Sequence, residues 1–107
     1  MSWHKYNAKK TQIDGFTFGS IREGKRYQEL ILLERAGEIT DLTIHPRFLL
    51  QEGFEDVNPI YYEADFRYTE GDALVVEDVK GHETEGFRLK SKLFRFKYPQ
   101  YEFRIVR

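Results

Sequence analysis

This sequence predicts an α/β domain with the element order α-β-β-β-α-β, and three observations carry the prediction. Two segments place apolar residues at helical spacing. Between them lie three runs with strand-like alternation or β-branched content, and a last alternating run closes the chain. At 107 residues the chain is sized for one domain around a single modest core, spanning 1–107.

In chain order, residues 1–13 (MSWHKYNAKKTQI) are polar, basic and aperiodic, and read as a flexible arm. Lys9 and Lys10, with Lys5, are its candidate phosphate contacts. Asp14-Gly15 signals a turn, with Phe16 and Phe18 as a short extended lead-in. Ser20 and Glu23 have the spacing of a capping box, which opens a helix over 20–36. Ile21, Tyr27, Leu30, Ile31 and Leu33 form its apolar stripe, and Gly37 is its left-handed stop. Residues 39–50 read as a strand, in which Pro46 implies an edge position or a bulge.

Residues 51–59 are a loop, and 60–68 (IYYEADFRY) form a second strand. Tyr62, Ala64 and Phe66 share one of its faces. Glu70-Gly71-Asp72 turns the chain into a third, antiparallel strand at 73–80. Thr84 caps a basic second helix over 85–97, which Pro99 ends. Residues 101–106 alternate as a last strand, and the helix before it implies a parallel crossover, hence a mixed sheet flanked by helices.

Composition narrows the function classes. The 40% hydrophobic share, with seven Tyr and nine Phe, argues for a folded globular chain rather than a disordered one. The absence of cysteine excludes disulfides and thiolate metal sites and suits a reducing cytoplasm. No apolar run approaches the roughly 20 residues of a membrane span, so no membrane partner is expected. The net charge of −1 hides a segregation. Residues 52–85 carry 11 acids against two bases, whereas residues 86–107 carry seven bases against Glu102. An acidic middle between basic ends suits a cation-dependent centre that handles a polyanion, although charges also segregate without function in a small solvated protein.

The chemistry-bearing residues concentrate in the third strand, where three apolar residues run into Glu77-Asp78-Val79-Lys80-Gly81. Strand alternation puts Asp78 and Lys80 on one face, roughly 6–7 Å apart along the strand, and Glu77 on the other. An acid beside an amine suits a hydrolytic metal site and also suits a surface ion pair, which is the commoner arrangement. Lys90 and Lys92 on the second helix would touch phosphates or form a solvated basic face. Tyr61 and Tyr62 read as packing residues in preference to base-stacking ones. The three histidines are too scattered for a metal cluster, although His82 lies close to the acid-x-lysine as a minor helper.

Taken together, Glu23 on the first helix, Asp65 in the second strand and Asp78-Val79-Lys80 in the third resemble the site pattern of the PD-(D/E)XK nuclease superfamily, with its restriction-endonuclease-like fold. The strings KYNAKKT, DGFTFGSIREGKRYQELILLERAG, YYEADF, VVEDVKG and FRLKSKLFRFKYP look like a family of small phage-encoded proteins of unassigned function placed in that superfamily. The resemblance covers about 5–106. It implies that Asp65 and Asp78 are metal-binding carboxylates, that Lys80 is the motif lysine, and that Glu23 is the helix glutamate of several branches. Two positions depart from the pattern: Ala64 stands where the motif has proline, and the second acid is aspartate rather than the commoner glutamate.

The resemblance further implies Mg²⁺ or Mn²⁺, held by Asp65, Asp78, Glu23 and the backbone carbonyl of Val79, since a hard cation takes oxygen ligands. The expected function is a divalent-metal-dependent endonuclease acting on DNA, leaning towards branched or Holliday-junction substrates, in the cytoplasm of a bacterial host if the chain is phage-encoded. Resolution of a symmetric junction would call for a homodimer. The alternative is a non-catalytic nucleic-acid- or protein-binding phage module with a degenerate nuclease site. Glu23 has a competing structural role, because a carboxylate occupied by a capping box is not easily also a metal ligand.

Overall fold

A computed structural model describes residues 9–107. Eight strands and two helices follow in the order β1 (Thr11–Ile13), β2 (Phe16–Phe18), α1 (Ile21–Arg35), β3 (Thr40–Ile44), β4 (Arg47–Gln51), β5 (Ile60–Glu63), β6 (Phe66–Glu70), β7 (Ala73–Val79), α2 (Glu85–Lys97) and β8 (Tyr101–Val106). The fold is the expected mixed α/β class: a four-stranded sheet in the order β3-β6-β7-β8, with β7 and β8 parallel and the other neighbours antiparallel.

Both helices obey their local signals. Ser20 Oγ accepts the Glu23 N–H at 3.1 Å, and Thr84 Oγ1 accepts the Phe87 N–H at 3.1 Å. At the other end of α1, Gly37 takes φ +78°, its N–H reaches Glu34 O, and the Glu38 N–H reaches Leu33 O at 2.9 Å, a Schellman stop. The helices cover opposite faces of the sheet. On the α1 face, Phe18, Tyr27, Leu30, Ile39, Phe66 and Val75 form the buried cluster. On the other face, Phe94 of α2 packs with Phe48, Tyr62, Ala64 and Val76. No helix among the described residues is long and apolar enough to cross a membrane.

Two of the expected strands break, and the breaks coincide. The run 39–50 divides at His45-Pro46 into β3 and β4, and 60–68 divides at Ala64-Asp65 into β5 and β6. One long hairpin is therefore bent through both arms at the same level. The Ala64 N–H bonds Pro46 O at 3.0 Å and the His45 N–H bonds Asp65 O at 2.9 Å across the bend. Pro46 has no N–H to donate, and His45 takes φ +53°, so the ladder survives only with a change of direction. The bend carries β4 and β5 off the main sheet and against α2.

The N-terminal arm needs a correction. Residues 11–13 are not a loose tail: they form β1, pair antiparallel with β2, and lie against α1. The approach is close, since a Cβ on Gly24 of α1 would stand 2.7 Å from Thr11 Cγ2. The expectation for Lys5 falls outside the described residues. Lys9 and Lys10 are exposed just ahead of β1.

Candidate metal centre

Four segments converge at the hairpin bend. Asp65 sits at the break between β5 and β6, where its own N–H is held by Glu77 O at 3.1 Å. Its Oδ2 accepts the Val79 N–H at 2.6 Å, which ties it to the end of β7. Glu23 reaches the same point from the first turn of α1, and His45 from the opposite arm of the bend. Ligand atoms from Glu23, His45 and Asp65 all lie within 4.8 Å of one another.

Glu23 divides its carboxylate. Oε2 accepts the Gly19 N–H at 3.1 Å, closing the helix start, while Oε1 meets His45 Nε2 at 2.9 Å. One side chain thus serves the cap and the site, contrary to the expectation that the roles exclude each other. The cap explains why Glu23 is in place: its backbone is fixed by Ser20, and the side chain is 10% exposed.

Asp78 is a further neighbour of Asp65. It is buried, its Oδ2 accepts a hydrogen bond from the Tyr62 hydroxyl, and its Oδ1 stands 2.9 Å from Lys80 Nζ. That last approach lacks hydrogen-bond alignment, so Oδ1 is ion-paired without being hydrogen-bonded. Lys80 is therefore held by charge and by the Phe87 ring, 4.7 Å from its centroid. The expected adjacency of Asp78 and Lys80 holds, and the pair is an inward one.

The electrostatics follow from placing Asp65 between the charges of Asp78 and Glu23. Burial, then the charge of Asp78, then that of Glu23, raise the Asp65 carboxyl from 3.8 to about 8, against the lowering effect of the Val79 N–H. Burial and the Asp78 charge likewise hold the Tyr62 hydroxyl in its protonated, donating form. A carboxyl that resists ionisation because its neighbours are acidic is relieved by a bound cation. The donor set of carboxylate oxygens with one imidazole nitrogen suits Mg²⁺ through the oxygens and Mn²⁺ through both.

Of the expected site residues, the fold brings Glu23, Asp65, Asp78, Val79 and Lys80 together. Val79 is seen to act through its N–H. Lys90 faces the same region from α2, beside Asp78 and Lys80. Lys92 lies elsewhere, in a depression with Arg88 and Arg95. Glu77 points away from the site as strand alternation requires. It is fully buried under α1, where it takes two hydrogen bonds from Arg26, at 2.9 and 2.6 Å, and one from Tyr68.

His45 is the residue that the linear reading missed, since no other histidine is close to it in the chain. The signal was in the hairpin register. Pairing Arg47 with Glu63 and Phe48 with Tyr62 carries His45 opposite Asp65.

Comparison with known families adds one finding. A family model described as "Protein of unknown function (DUF1064)" matches residues 3–107. No curated protein and no solved structure matches the chain.

Proposed function

We propose that this chain, which belongs to the DUF1064 family, is a divalent-cation-dependent endonuclease that hydrolyses phosphodiester bonds in DNA. The observation that carries the reading is the cluster of Glu23, His45 and Asp65, with Asp78, ion-paired to Lys80, near enough to Asp65 to help raise its carboxyl to about 8. The resemblance of these residues to the PD-(D/E)XK pattern supports it, and the α-β-β-β-α-β order is compatible with it. Glu23, Asp65 and His45 would hold Mg²⁺ or Mn²⁺, with Asp78 and the Val79 carbonyl completing the set. The cation would polarise a phosphoryl oxygen and make an attacking water more acidic.

The remaining work falls to the chain. The Val79 N–H orients Asp65, and the Gly19 N–H orients Glu23. Tyr62 fixes one oxygen of Asp78 and leaves the other towards Lys80. The Lys80 ammonium, with no aligned hydrogen bond to Asp78, is available to offset charge that develops on the phosphate or to orient the water. Activity on branched DNA or Holliday junctions, a phage setting and a homodimer belong to the same proposal and rest on the resemblance.

A second reading is a binding module with a degenerate site. It is favoured by the engagement of both Asp78 oxygens, one by Tyr62 and one by Lys80. Labelled four-way-junction, flap, single-stranded and duplex DNA, each with Mn²⁺, Mg²⁺ or EDTA, separate the two. Metal-dependent cutting lost in Asp78→Ala and Lys80→Ala is the expected result. Salt-sensitive binding without cutting would establish the module instead.

A further inference from the structure

Beside Asp78 and Lys80 opens a cleft of about 520 Å³, a size in the roughly 300–1,000 Å³ range of sites for small ligands. The β4–β5 hairpin forms one wall through Arg47, Tyr61 and Glu63, and the start of α2 forms the other through Phe87 and Lys90. Cations and aromatic rings alternate along it. The Arg47 guanidinium lies 4.1 Å from the centre of the Tyr61 ring, and Lys80 Nζ lies 4.7 Å from that of Phe87. Of the two acids lining the cleft, Asp78 is already paired with Lys80, so Arg47 and Lys90 outweigh Glu63.

We infer that this cleft binds the unpaired nucleotides of a single-stranded segment, with phosphates towards Lys80 and Lys90 and a base against the Tyr61–Arg47 stack. Duplex bases are stacked on one another and offer only their edges, whereas unpaired bases offer faces to aromatic rings and guanidinium planes. A partner recognised by phosphate alone would make no use of the Tyr61–Arg47 stack. A purely apolar ligand would leave Arg47 and Lys90 without a role. From the sequence Tyr61 reads as packing in preference to base stacking, and the hairpin bend turns it towards the site. The functional meaning rests on the nuclease reading: an unpaired strand is then the substrate class of the neighbouring metal centre.

The test is fluorescence anisotropy on the full chain in EDTA, with oligothymidylate, a duplex of equal length and inorganic polyphosphate as probes. Oligothymidylate is expected to bind more tightly than the duplex. Tyr61→Leu should weaken it about tenfold, in line with the loss of one stacked base. Tyr61→Phe should bind as the unaltered chain does, and affinity for polyphosphate should change less than about twofold. Exposed Arg47→Gln, which removes the other half of the stack without touching the core, should weaken oligothymidylate several-fold. Equal affinity for duplex and single strand, or a Tyr61→Leu loss shared by polyphosphate, would overturn the inference. Cleavage by the unaltered chain, assayed separately with Mn²⁺, keeps the two readings apart. Cutting with no single-strand preference overturns the cleft alone, and the preference without cutting overturns the nuclease alone.

Discussion

Replacing Asp65 by asparagine should flatten the pH dependence of folding stability in EDTA. The carboxyl is raised from 3.8 to about 8 by burial and by the Asp78 and Glu23 charges. Between those values the folded protein keeps a proton that the unfolded chain has already released. Below about pH 4 both states hold it and the full contribution to stability is present. As pH rises from there to about 8, stability falls by up to about 1.4 kcal/mol per unit, and beyond that the loss is complete. Between about pH 5 and about pH 8 the loss is bounded by about 4 kcal/mol. Each kcal/mol moves Tm by roughly 4–8 °C in a domain of this size. The fall in Tm of the unaltered chain over that window is therefore at most roughly 16–32 °C. Asp65→Asn keeps an oxygen to accept the Val79 N–H and cannot ionise, so its Tm should stay nearly level over that window. Saturating Mn²⁺ near pH 8 should raise Tm of the unaltered chain and leave the variant unmoved. Thermal melts across the pH series provide the comparison. Parallel slopes for the two proteins would refute the reasoning, because they would remove Asp65 as the source of the proton uptake.

His45→Ala should weaken Mn²⁺ about 10–100-fold while changing Mg²⁺ much less, since imidazole nitrogen favours the transition ion; calorimetric titration of each ion decides it, and equal losses would place His45 outside the ligand set. Glu77→Ala should cost about 1–3 kcal/mol by removing the buried acceptor of two Arg26 hydrogen bonds and of the Tyr68 hydroxyl, leaving Arg26 only its exposed Glu29 partner, with cation affinity of the folded protein unchanged; denaturant melts and the same titration separate those effects. Gly24→Ala should cost about 1–3 kcal/mol, because its Cβ would stand 2.7 Å from Thr11 Cγ2. Amide hydrogen exchange should then rise first in β1, and unchanged protection at Thr11–Ile13 would show that β1 is not held there.

What was legible in the sequence was whatever depends on neighbours in the chain. The capping serine, the Gly37 stop, Thr84 ahead of α2 and the alternation of 101–106 are local signals, and the elements formed within a residue or so of where those signals stand. The side-by-side placement of Asp78 and Lys80, and the turning away of Glu77, follow from the two-residue period of a strand. The mixed sheet was implied by a helix standing between two strands. The resemblance supplied Glu23 and Asp65 as partners for that pair.

What only the tertiary structure decided is how the two arms of the 40–70 hairpin bend together. Pro46 announces an irregularity, but nothing in the run IYYEADFRY says that Ala64-Asp65 breaks opposite it. The break appears because Asp65 must bond at once to His45 across the hairpin and to β7 through Glu77 O and the Val79 N–H. Those partners lie 20, 12 and 14 residues away in the chain. The same bend turns a lone histidine into a neighbour of two acids, and aims Tyr61 into a cleft. Long-range register sets these positions, and local propensity has no access to it.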